Sequence, residues 1–102
     1  MNVANLQIQG MLAAIAAVTE LFVAKGLLTR EEIDTALASA EQGLLGEERM
    51  AADIEPSGRD AITFPVRWLH LANTMAARGG TPTFMELARK VGETKGKYND
   101  QA

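Results

Sequence analysis

The chain has 102 residues, 47% of them apolar, no cysteine and a formal net charge of −3. That describes one small domain, able to bury roughly two-thirds of its unfolded surface without covalent staples, and the missing thiol excludes disulfides, thiolate zinc sites and cysteine nucleophiles. The charge is uneven: residues 31–60 hold nine acids against Arg49 and Arg59, whereas residues 61–102 hold six cations against Glu86, Glu93 and Asp100, a polarity suited to solvated faces or pairing between the halves.

The first element is a predicted helix over 3–25. Within it, Gly10 to Val18 reads GMLAAIAAV, nine positions without a polar side chain. A helix apolar nearly all round must be covered nearly all round, so it is either the central strut of the domain or a contact surface. Ala4, Ile8, Met11, Ile15, Val18 and Phe22 form a seam at alternating spacings of four and three, the pattern of helices packed at shallow angles. Ile8, Met11, Ile15, Val18 and Phe22 are therefore the candidate self-association residues. No Lys or Arg precedes Lys25, so the cationic flank of a signal peptide is missing. Gln7 and Gln9 on one side and Thr19 and Glu20 on the other interrupt the roughly 20 apolar residues a membrane span needs. The expectation is a soluble, cytoplasmic protein without a membrane span.

Gly26 suits the residue just beyond that helix, and Thr29-Arg-Glu-Glu32 is a capping box opening a second helix over 30–42. Leu28 and Ile33 are placed as a hydrophobic staple, and Ile33, Ala36, Leu37 and Ala40 form its apolar stripe up to a stop at Gly43. The pattern predicts an antiparallel hairpin of helices one and two.

Residues 44–62 read as an acidic connector punctuated by Gly46, Pro56, Ser57 and Gly58, with room for a short helix over 47–54 that Pro56 would end. A third helix is expected over 64–78, starting near Thr63 to Pro65 with proline in the first turn. Trp68, Leu69, Ala72, Met75 and Ala76 share one of its faces; Arg67, His70, Asn73, Thr74 and Arg78 share the other. Gly79-Gly80 ends it, and Thr83-Phe-Met-Glu86 caps a fourth helix over 82–91 with Phe84, Leu87, Ala88 and Val91 on one side. The domain is thus residues 1–92, all-α and bundle-like, followed by a flexible tail over 93–102 with Tyr98 as its one aromatic.

Glu86-Leu-Ala-Arg-Lys-Val-Gly92 resembles the first half of a helix-turn-helix, with alanine inside and glycine at the turn. What should follow is an amphipathic recognition helix, but residues 93–102 offer only Tyr98 as an apolar spine, so the helix-turn-helix-like segment near 83–98 is degenerate. Arg89, Lys90, Lys95 and Lys97 form a candidate basic patch for the alternative function, a nucleic-acid-binding regulator, which the net negative charge of the domain disfavours by forfeiting phosphate attraction. Arg67, His70 and Arg78 form a candidate anion-binding face for a carboxylate, phosphate or small metabolite. His70 is the one histidine, which excludes a multi-histidine metal site within the chain. No phosphate loop, serine elbow or calcium-loop spacing is present, so no catalytic, metal or cofactor-binding residue is assigned. The sequence favours a non-catalytic interaction module that self-associates, as a dimer, or serves a protein partner as an accessory subunit.

Overall fold

The computed structural model describes residues 3–46 and 56–94, and among them it has four helices and no strand. They are α1 (Val3–Ala24), α2 (Arg30–Gly46), α3 (Pro56–Ala77) and α4 (Phe84–Thr94). The all-α, bundle-like domain expected from the sequence is what the chain forms.

The helix ends follow local chemistry. After α1, the Leu27 amide donates to the Phe22 carbonyl and the Gly26 amide to the Val23 carbonyl, both at 3.0 Å, with Gly26 at φ 75°. This glycine-dependent closure of a helix C-terminus recurs after α3, where Gly79 has φ 81° and the Gly80 amide reaches the Met75 carbonyl at 2.9 Å. Both capping boxes form. The Thr29 amide donates to Glu32 Oε1 at 2.8 Å and the Glu32 amide to Thr29 Oγ1 at 3.0 Å; Thr83 and Glu86 repeat the exchange at 3.2 Å each way.

Three boundaries differ from expectation by three residues or more. Helix α2 passes Gly43 and ends at Gly46, with Leu44 and Leu45 half-buried, which outweighs the roughly 0.5–1 kcal/mol that an internal glycine costs. Helix α3 begins at Pro56, so this proline opens a helix and the expected connector 44–62 is largely helical at both ends. Pro65 consequently lies inside α3, where it removes one backbone hydrogen bond. The helix holds because its neighbours are packed: Thr63 is wholly buried, with its hydroxyl on the Arg59 carbonyl at 2.7 Å, and Trp68 is buried a turn later. Helix α4 continues past Gly92 to Thr94. The short helix considered over 47–54 and the tail beyond Thr94 lie outside the described residues.

The central strut is α3, which packs against each of the other helices, while α1 and α2 barely touch one another. Arg30 and Asp34 of α2 meet Asn73 and His70 of α3, so these helices run antiparallel. Between α1, α2 and α3 a gap of about 40 Å³ remains, lined by Ile15, Thr19, Ile33, Leu37 and Leu69 among others. The hairpin expected of helices one and two is therefore completed through α3.

The core is small. Leu12, Trp68, Leu87 and Val91 form its buried cluster, flanked by Ile8, Ala16, Phe64, Leu69, Ala72 and Phe84. Trp68 lies 5.4 Å from the Phe84 ring centre and donates its indole N–H to the Phe84 carbonyl at 3.3 Å, which satisfies its polar end inside an apolar site. Helix α1 contributes one buried side chain, Leu12, at 2% exposure. Leu12→Ala is expected to lower unfolding free energy by about 2–5 kcal/mol in urea denaturation. Leu6→Ala, on the exposed side of the same helix, should change it by less than about 0.5 kcal/mol in the monomer.

Candidate interaction surface

With Leu12 at the centre of its covered side, α1 turns the rest of its circumference to solvent. At about 100° per residue, the open arc spans roughly 200°, with Gln7 as a polar residue within it and Glu20 at its edge. Seven large apolar side chains of α1 are exposed: Val3, Leu6 and Leu21 together with Met11 (60%), Ile15 (46%), Val18 (53%) and Phe22 (40%). They leave on the order of 600 Å² of apolar surface in water, at the upper end of the largest patch on a typical monomer. Exposed Ala4, Ala13, Ala14 and Ala17 extend it, bringing it near the roughly 800 Å² that each partner gives to a standard-sized interface.

Of the seam proposed from sequence, Met11, Ile15, Val18 and Phe22 lie on this surface. Ile8 does not, because it packs against the core cluster. The covered side of α1 is centred on Leu12, so the open surface is rotated away from the Ile8 line. Val3, Leu6, Ala13, Ala14, Ala17 and Leu21 are the surface residues outside that seam. Their signal exists only in three dimensions, since a helix apolar all round does not show which side its own domain will cover.

A polar bracket holds the C-terminal end of α1. Arg30 donates to both carboxylate oxygens of Glu20, the Nη2–Oε1 bond measuring 2.7 Å, and its Nη1 also donates to Asn73 Oδ1 at 2.9 Å. Asn73 is buried, and its amide nitrogen donates to the Arg30 carbonyl at 3.1 Å and to Asp34 Oδ1 at 2.8 Å. Every hydrogen-bonding group of this buried amide is used, which offsets its desolvation. His70 Nε2 lies 3.6 Å from the same Asp34 oxygen, at the solvent edge. The Arg30 hydrogen bonds hold the Glu20 carboxyl below the ordinary glutamate range, and the Glu20 carboxylate raises the Arg30 guanidinium in turn.

The expected anion face does not assemble. Arg67 is buried, with Nη2 donating to the Val91 carbonyl of α4 at 3.2 Å and Nη1 3.8 Å from Asp60 Oδ1. Its charge is spent inside the domain, joining α3 to α4. His70 faces Asp34 instead, and Arg78 is exposed in the turn after α3. The polar side assigned to α3 is thus partly interior, because α3 is surrounded. In the basic patch, Arg89 pairs with Glu93 at 2.9 Å and Lys90 is half-buried; Lys95 and Lys97 lie outside the described residues. An open cleft of about 540 Å³ separates the N-terminal half of α1 from α4, walled by Ile8, Phe64, Phe84 and Met85 with Asp60 at its side. Among the described residues no three His, Asp or Glu gather into a metal-binding group.

By length and composition α1 is also long and apolar enough to cross a bilayer. Gln7, Gln9, Thr19 and Glu20 do not interrupt its apolar length enough to exclude a span on that ground.

Because its folded-state pKa is lowered, the stability Glu20 contributes is complete above the ordinary glutamate range and is lost as pH falls through the folded value. The pair is partly exposed, which limits that contribution to no more than about 1 kcal/mol. Glu20→Gln should therefore lower the urea midpoint slightly at neutral pH, and the difference from wild type should shrink as pH falls below the ordinary glutamate range; a loss that does not change with pH would show that the carboxylate charge is not involved. No protein-family model, curated protein or solved structure matches the chain.

Proposed function

We propose that the protein is a non-catalytic helical interaction module whose α1 surface binds a second copy of the chain. The observation that carries this reading is the uncovered side of α1: seven large apolar side chains exposed on a helix that buries only Leu12. Leaving such a surface in water is costly, at roughly 25 cal/mol per Å². Its area approaches one partner's share of a stable dimer, and a surface meeting its own copy about a two-fold axis needs no other component.

The competing occupant of such a helix is a bilayer. Crossing one would require α1 to leave α3, exposing Leu12's place in the core and breaking the Glu20–Arg30–Asn73 bracket. Lying flat on one would normally use cations to meet anionic headgroups, and α1 has none between Val3 and Ala24. Self-association keeps both the core contact and the bracket.

Sedimentation at micromolar concentration should give a dimer. Val18→Asp, which places a charge where the protomer has open surface, should give a folded monomer with an unchanged far-ultraviolet spectrum. A wild-type monomer in solution, or one that floats with phosphatidylcholine vesicles and has no dimeric state, would overturn the proposal.

A further inference from the structure

We infer that the second copy packs antiparallel along one heptad line of α1, formed by Ala4, Gln7, Met11, Ala14, Val18 and Leu21, with Ala4 in the layer of the second copy's Leu21. This rests on the self-association proposed above. All six residues are exposed, and their spacing alternates strictly between three and four, the repeat that keeps a seam facing its partner along a two-helix coiled coil. The line through Ile8, Ile15 and Phe22 has the same period, but Ile8 is committed to the core and Ile15 and Phe22 are the least exposed of the seven exposed large apolar residues of α1. Coverage by the protomer's own domain therefore selects Gln7, Ala14 and Leu21 as the positions that pair with Ala4, Met11 and Val18.

Orientation follows from side-chain volume. In the antiparallel register each layer joins one residue of each set: Ala4 with the second copy's Leu21, Gln7 with its Val18, Met11 with its Ala14. Small meets large in the Ala4 and Met11 layers, and two middle-sized side chains meet in the other, so the layers fill evenly and leave no void. A parallel pair would stack Ala14 on Ala14 between a Met11 layer and a Val18 layer, alternating gaps with crowding. It would also bring Lys25, the next position on the line, against its own copy, apposing like charges at the end of the seam. The antiparallel register separates the two lysines, and Gln7 falls in the layer next to the open end of the pair, within reach of water.

The absence of native cysteine makes the register directly measurable. Mixing Ala4→Cys protein with Leu21→Cys protein under mild oxidation should give the mixed cross-linked dimer, with neither variant cross-linking to itself. In this register the two copies of position 21 sit about 26 Å apart along the helices, beyond disulfide reach. Ala14→Lys should weaken the dimer at least tenfold, whereas Ala13→Lys, also exposed but off the line, should leave it unchanged. Efficient self-cross-linking of Leu21→Cys would show a parallel pair, and a dimer indifferent to Ala14→Lys would show a different line. Either result overturns this register while leaving self-association standing. A wild-type monomer by sedimentation removes both.

Discussion

Leu12 is the point at which α1 enters the hydrophobic core, and the rest of the architecture turns on that single insertion. Its burial beside Trp68, Leu87 and Val91 fixes which side of α1 faces α3, and thereby which side is left over. A helix with several buried side chains would be an ordinary core element. With one, and with a polar bracket from Glu20 through Arg30 to Asn73 at its far end, α1 is positioned firmly yet covered on one side only. The same two attachments that orient it create the apolar surface that needs a partner.

Helix α3 makes this possible by being surrounded. It takes Leu12 and α4 on its apolar side, and α2 beside Asn73. Besides Thr63, two polar residues are drawn inside as a result, and each joins α3 to a neighbouring helix. Asn73 ties α2 to α3 with every amide group in use, and Arg67, 3.8 Å from Asp60 on its own helix, ties α3 to α4 through the Val91 carbonyl. These buried groups replace apolar contacts that a core this small does not supply, and they add directionality, since a misplaced helix would leave them desolvated and unmatched. Arg67 and His70 are turned to structural contacts by the same arrangement.

Much of the fold was legible in the sequence because it is written in local chemistry. The capping boxes at Thr29 and Thr83, and Gly26 and Gly79 after their helices, depend on residues within one turn of each other, and each forms as the spacing implies. What was not legible depends on residues far apart. Pro65 reads as a first-turn proline until Thr63 and Trp68 are seen packed around it. Arg67 reads as solvent-facing until α4 brings the Val91 carbonyl to it. Met11, Ile15, Val18 and Phe22 read as surface to be covered and are exposed, but Ile8 shares their period, and periodicity alone does not say which side of a uniformly apolar helix its own domain will take.

The central claim is that the open side of α1 is covered by a second copy, and it is tested most directly by the concentration dependence of thermal stability. Burial that exists only in the dimer stabilises by mass action, so the melting temperature should rise by several degrees as protein concentration is raised about a hundredfold. A melting temperature constant across that range would contradict the account and leave α1's apolar surface without the partner assigned to it.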